Sequence, residues 1–288
     1  SRETIRFTTE FHVFFFIRMW CMVCNYGINR SIQAAKKLGI STLDENKNYG
    51  LSLALGSAEV RLSEMTNAYA AFANGGTQYE SLNLITEVRD KFNKNASWKT
   101  ANTRQAISQG GAYLISSILS DNAARAGIFG SSLTVSGKTV AVKTGTTNDN
   151  RDAWTIAVGV WVGNNDNKVM NSGGSDVAAP IWRATMTKLL AGVKTGFDVP
   201  NGVVQRSVCS SNGGLADDSS PGAYKEYFLS SALPTEKCDQ TKTKIEVCNL
   251  ATKQMESIFE DQFDAAKYSK NAADCRQTPT TKQITVCD

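Results

Sequence analysis

Four consecutive residues, Lys143-Thr144-Gly145-Thr146, have the types and order that acyl transfer along a strand would use. A lysine there sets a cation beside a serine hydroxyl and eases its proton transfers. Gly145 leaves no side chain where an extended peptide would lie, and free strand backbone groups can pair with such a peptide. Thr144 and Thr146 offer hydroxyls to a substrate carboxylate. The three letters Lys-Thr-Gly also fit an ordinary strand-to-loop segment. Val-Lys-Thr-Gly in fact occurs twice, at 142–145 and 193–196. The second copy follows the helical pattern "IWRATMTKLL" and has no Thr-Thr continuation and no following apolar strand. It is expected to be a helix end, with Gly192 or Gly196 as the stop and Lys194 near the negative end of the helix dipole.

A serine nucleophile with its lysine base would take the form Ser-x-x-Lys, and no serine of the chain stands three residues before a lysine. Ser-x-N occurs at 81–83, 120–122, 210–212 and 269–271, and Ser120-Asp121-Asn122 at the end of a predicted helix is expected to be a helix terminus. The sole histidine, His12, excludes a Ser/His/Asp hydrolase and leaves a four-ligand zinc site poorly supported. No cofactor is expected. "GSSLTVSGKT" (130–139) places six residues between its glycines where a phosphate-binding loop needs four, so nucleotide binding is set aside.

The secondary structure around the tetrad is read from periodicity. "NRSIQAAKKLGI" (29–40) predicts a helix closed by Gly39. Leu62, Met65, Tyr69 and Phe72 fall on one face of a second helix, with Ser57 as N-cap and Gly75-Gly76 as stop. Residues 81–90 predict a strand. Residues 112–127 predict a helix with Leu114, Ile115, Ile118 and Leu119 inward, and 179–192 a helix with Pro180 near its first turn. "WTIAVGVWVG" (154–163) predicts a buried strand that continues from "DA" without a hairpin turn. The body is therefore α/β or α+β, an antiparallel sheet flanked by helices, ending near residue 200.

The last third differs. "RSVCSSNGG", "IEVCNLATK" and "ITVCD" each carry a β-run ending in Val-Cys, and Cys209 and Cys248 are followed by further cysteines 29 and 27 residues on. This is an internal repeat, at about 205–240 and 244–277, with a third copy truncated after Cys287. The spacing predicts disulfides Cys209–Cys238 and Cys248–Cys275 in a small β tail (201–288), which suggests an oxidising compartment. A net charge of +4 with no basic tract excludes nucleic-acid binding. Within the atypical N-terminal segment 1–24, the apolar run "FHVFFFIRMWCMVC" (11–24) is too short and too interrupted by Arg18 for a membrane span and lacks a cleavage signal.

"GLSLALGSAEVRLSEMTNAYAAFANGG", "VKTGTTNDNRDAW", "VGVWVGN" and "GGSDVAAPIW" together resemble, in order, the transpeptidase domain of class A (bifunctional) penicillin-binding proteins, over about residues 25–200. The resemblance implies a penicillin-binding, beta-lactamase-like fold. It also implies D,D-transpeptidase activity: an acyl-serine enzyme that cross-links peptidoglycan stem peptides ending in D-Ala-D-Ala and is acylated by beta-lactams. Lys143, Thr144, Gly145 and Thr146 match the family's third motif, and the Thr146 amide would supply half of an oxyanion hole. The second motif of the family lies upstream of "NAYAAFANGG", where residues before Asn25 resemble nothing in it. The family has two strands after Lys-Thr-Gly, so the uninterrupted 152–163 run suggests a missing strand. The expectation is the C-terminal part of such a protein, with its start displaced or misread, catalytically incomplete by itself. The full-length family is extracytoplasmic and membrane-anchored through an N-terminal segment that this sequence does not display. The alternative is a non-catalytic wall-binding or scaffold protein. An in-frame upstream glycosyltransferase region with Ser-x-x-Lys would decide for the enzyme.

Overall fold

In the computed structural model, residues 26–275 are described, apart from 48, 81, 83, 84, 86, 97–100, 148, 149, 219, 221, 240–243, 252 and 253. The atypical segment 1–24 and Cys287 lie outside them, as do four residues of the strand expected over 81–90; the described residues of that stretch form no strand, only an isolated bridge between Arg89 and Asn95 that closes a turn. The chain divides into two units with a boundary between Val203 and Val204. Each is described by itself.

The body begins with α1 (Ile28–Lys37), which buries Ile32. Gly39, at φ 95°, turns the chain out of it, and the Ile40 amide returns to Ala35 O at 3.1 Å. Helix α2 (Leu62–Ala73) starts at Arg61, not Ser57, and no side chain caps it. Its most buried residues are Asn67, Ala68 and Ala71, small enough for close packing, so Leu62, Met65, Tyr69 and Phe72 line the rim half-buried. Gly76 closes it at φ 90°, where a Cβ would meet Ile107 O at 2.1 Å. The short strands β1 (Thr77–Tyr79) and β2 (Thr103–Gln105) pair antiparallel beyond it.

The single helix expected at 112–127 is two. Helix α3 (Gln109–Ser120) is capped by Ser108, whose hydroxyl accepts from Gly111 N, and α4 (Asn122–Phe129) is capped by Asp121. The inward residues of α3 are Gly110, Ala112, Tyr113 and Ser116, while Ile115 is exposed, because the close helix–helix approach favours the small face.

Next comes a meander: β3 (Lys143–Thr146), β4 (Asp152–Ile156) and β5 (Val160–Gly163), all antiparallel in the order β3-β4-β5. The run read as one strand across 154–163 is thus a hairpin that turns at Ala157-Val158-Gly159. No strand is missing after the tetrad. Apolar alternation conceals so tight a turn, because Gly159 carries no polar signature and packs against Thr66 and Leu62. Helix α5 spans Gly174–Leu189, earlier than expected, which puts Pro180 inside the helix. Its Ala179, Trp182 and Met186 meet Leu133, Val135, Val140 and Val142 in the body's largest core cluster.

In the tail, β6 (Val203–Cys209) pairs with β7 (Ala223–Leu229). β8 (Lys244–Asn249) lies between β9 (Gln254–Phe259) and β10 (Tyr268–Ser269). Val208-Cys209 and Val247-Cys248 are the buried strand ends of the two repeats. Each second strand runs into a 3-10 turn, at Ser230–Ala232 and Glu260–Gln262. Cys248 and Cys275 are joined as a disulfide, and Cys209 and Cys238 are not.

Candidate active-site strand

The tetrad Lys143-Thr144-Gly145-Thr146 makes up the whole of β3, and β3 is an edge strand of its sheet. Its inner edge pairs with β4 in the register Lys143↔Ile156, Thr144↔Thr155, Gly145↔Trp154, Thr146↔Ala153. Among the described residues no strand covers the outer edge, so its backbone groups are available to an extended ligand.

Three anchors hold the strand. The lead-in is fixed by buried Val140 and Val142 against α5, and the Val142 amide donates to Leu119 O at 3.0 Å. Arg125 reaches the same place: its guanidinium donates to Leu119 O, to Asn122 Oδ1 and, at 3.3 Å, to Val140 O. Burial lowers the Arg125 pKa, partly offset by Asp121. Ser120-Asp121-Asn122 is therefore the junction of α3 and α4, with Asp121 Oδ1 accepting from Ala124 N at 3.0 Å. It contributes to the strand's support, as a helix junction.

The second anchor is the start of α5. Gly174 N donates to Thr146 Oγ1 at 3.0 Å, and Gly174 O accepts from buried Thr155 Oγ1 at 3.4 Å. A Cβ on Gly174 would lie 2.7 Å from Gly145 O and 2.9 Å from Trp154 O, so only glycine permits this approach of helix to sheet. Gly173, the N-cap residue, offers no side chain, and Thr146 takes over that role from the strand.

The third anchor is the second Val-Lys-Thr-Gly copy. It lies beyond α5, after Gly192 at φ 74°. Lys138 Nζ donates to Val193 O, and the Thr139 amide donates to Thr195 Oγ1 at 2.9 Å. The twin of the tetrad thus holds the beginning of the segment that leads to it.

Lys143 is exposed as a residue, and its Nζ donates to Thr144 O. Desolvation nonetheless pushes its ammonium below the ordinary lysine pKa. The shift raises the neutral fraction, which is the form that accepts a proton. Gly145 has no internal need for its missing side chain, since a Cβ there would make an ordinary 3.5 Å contact with Trp154 Cβ. Trp154 in turn pairs across with Trp161, giving a Gly145–Trp154–Trp161 row over the meander. Trp161 Nε1 donates to Asp152 Oδ1 at 2.9 Å, and Asp152 closes the turn through Thr147, whose hydroxyl accepts the Asp152 amide at 2.8 Å.

Sequence reasoning placed the four tetrad residues on one strand but missed Arg125, Gly173 and Gly174. A double glycine immediately before an apolar helical run was the available signal for the helix–sheet approach.

The family model for the penicillin-binding protein transpeptidase domain matches residues 25–187, and that for the C-terminal domain of penicillin-binding protein 1A matches residues 199–243. Penicillin-binding protein 1A of Clostridium botulinum is 28% identical over 233 residues, covering 76% of this chain and 28% of the relative. Its counterpart in Neisseria meningitidis is 29% identical over 238 residues, covering 78% and 27%. This chain therefore spans little more than a quarter of the length of these relatives. Among solved structures, penicillin-binding protein 1A of Haemophilus influenzae superposes with a TM-score of 0.64 at 23% identity, over 77% of this chain and 39% of that one. PonA1 of Mycobacterium tuberculosis in complex with penicillin V gives 0.52 at 22%, over 62% and 54%. These two likenesses establish the fold.

Proposed function

Since this chain belongs to the penicillin-binding protein transpeptidase family, we propose that β3 is the strand on which a D-Ala-D-Ala stem peptide of peptidoglycan, or a beta-lactam, is laid for acyl transfer to a serine. The observation that carries this reading is the placement of the whole Lys143–Thr146 tetrad on an edge strand. The peptide pairs with the outer edge, Gly145 gives it room, and Thr144 and Thr146 meet its carboxylate. Lys143, its proton affinity reduced by desolvation, assists proton transfer at the serine. The Thr146 amide serves the developing oxyanion. Extracytoplasmic location in the cell envelope follows from that substrate. Among the described residues, no helix is long and apolar enough to cross a membrane.

The chain has no Ser-x-x-Lys, so as it stands it binds without forming an acyl-enzyme. The second reading is a non-catalytic wall-binding or scaffold role. Incubation with fluorescent penicillin should leave no covalent band, and a covalent band would overturn the claim of incompleteness. Titration of the isotopically labelled chain with a stem peptide ending in D-Ala-D-Ala should shift the Gly145 and Thr146 amides. Shifts confined to other parts of the chain would remove β3 as the docking strand and leave the scaffold reading.

A further inference from the structure

We propose that Asn201 is a site of spontaneous deamidation, at which the side chain closes onto the Gly202 nitrogen and reopens with water as an aspartyl or isoaspartyl residue. Asn-Gly occurs at 74–75, 201–202 and 212–213. Glycine leaves the attacking nitrogen least hindered, because it carries no side chain. The three pairs are alike in sequence, and the fold separates them.

Ring closure needs the peptide unit between Asn and Gly to turn until its nitrogen meets the Asn Cγ. What decides the rate is therefore how that unit is held. At Asn212-Gly213 both reacting partners are fixed. The Gly213 amide donates to Cys209 O at 3.0 Å. Asn212 Oδ1 accepts from Gly214 N at 3.0 Å, and its Nδ2 donates to Lys237 O at 3.0 Å. At Asn74-Gly75 the Asn74 carbonyl accepts from Thr77 N at 3.1 Å, and Gly75 O accepts from Gln105 Nε2 at 2.9 Å. Turning either unit breaks these bonds.

Asn201-Gly202 is different. Its turn is closed by one bond, from Val203 N to Pro200 O at 3.2 Å, which spans the Asn-Gly peptide without using its polar groups. Among the described residues, no partner holds the Gly202 amide or the Asn201 side chain. Both residues are exposed. A Cβ on Gly202 would meet nothing within 4 Å, so a ring has room to form there.

The chemistry is closed by water alone. The Gly202 nitrogen, giving its proton to hydroxide, attacks Asn201 Cγ. The new C–N bond forms, the bond from Cγ to Nδ2 breaks, and ammonia leaves a five-membered imide. Water then adds to one of the two imide carbonyls. Opening at Cγ gives aspartate, and opening at the backbone carbonyl gives isoaspartate, with the chain now running through Cβ and Cγ. Nothing is oxidised or reduced. Either product places a carboxylate where a neutral amide stood. The isoaspartyl product also adds a methylene to the backbone between Pro200 and Val203, the buried first residue of β6.

The test incubates the folded full chain in mildly alkaline buffer made with heavy-oxygen water, which labels each new carboxyl for peptide mass spectrometry. Asn201 should convert at least roughly tenfold faster than Asn74 or Asn212, the factor expected when one or two hydrogen bonds must open at the slower sites. Equal rates, or a faster conversion at either of the other two, would overturn the proposal. In denaturant the three rates should draw together. A lead for Asn201 that persists there would assign the preference to local sequence and overturn the structural argument. Asn201→Gln should remove the isoaspartyl signal from this turn, because glutamine must close a larger ring. In the aged parent the Val203 amide should exchange faster than in Asn201→Gln treated alike. Equal Val203 exchange in a fully converted parent would overturn the stated effect on the turn.

Discussion

The Thr146 hydroxyl accepts the Gly174 amide proton at 3.0 Å and so caps a helix from a strand that lies far away in sequence. The N-cap residue of α5 is Gly173, with no side chain to offer. Helix and candidate site strand are thereby made to depend on one hydroxyl. Thr146→Val should destabilise the body by about 1 kcal/mol, as other lost caps do, and Thr146→Ser should retain most of that stability. Urea unfolding of the two variants beside the parent checks this. Equal stability of all three would show that the bond contributes nothing.

The two glycines nearest this contact should behave oppositely. Gly174→Ala drives a methyl into the carbonyls of Gly145 and Trp154 and should cost about 2 kcal/mol, in the range of overpacked sites. Gly145→Ala meets only an ordinary contact with Trp154 and should change stability by no more than about 0.5 kcal/mol. On the proposed docking it should nonetheless weaken stem-peptide binding, because its methyl would stand where the peptide is laid. Thermal unfolding and peptide titration of the same two variants separate the effects.

Arg125 ties the α3–α4 junction to the segment entering β3. Arg125→Met removes donors to Leu119 O, Asn122 Oδ1 and Val140 O. The expected loss is about 2–3 kcal/mol, since these bonds involve a charged group and two of them end on part-buried backbone carbonyls. Denaturant unfolding gives the loss, and amide hydrogen exchange at Val142 should quicken with it. A stable variant with unchanged exchange would remove Arg125 from the strand's support.

Cys209 should make the reduced tail sensitive to pH. Its folded pKa of about 7 lies below the ordinary value of 9.0. Its stabilising contribution is thus complete above 9.0 and is lost as the pH falls through about 7. Under reducing conditions the parent should gain stability relative to Cys209→Ser as the pH rises across that window. A constant difference between the two would contradict a lowered Cys209 pKa.

The sequence made some of this legible and hid the rest for identifiable reasons. The tetrad was readable because alternating Val140 and Val142 point its strand into a core, while Lys143 and the threonines break the pattern. Gly39 and Gly76 were readable as helix stops because left-handed backbone selects glycine. The β4–β5 turn was hidden because Ala157 and Val158 are apolar, and nothing local distinguishes a tight turn from a continuing strand. The inward face of α3 was misassigned to its larger side chains. Close approach to α2 selects Ala112 and Ser116 instead, and Ser116 Oγ donates to Phe72 O at 3.4 Å. Arg125 and Gly174 act through partners that are near only in the folded chain, so no spacing rule reveals them.

The link between Thr195 and Thr139 governs where this chain can be cut. Secondary structure alone would place a convenient end just after α5, at Leu190. Such a cut discards Val193 and Thr195, which receive Lys138 and the Thr139 amide. The segment entering β3 would then have open donors at its origin. A stand-alone body for crystallisation or ligand screening should therefore run at least through Gly196, even though the residues from Val193 onward belong to no helix or strand there.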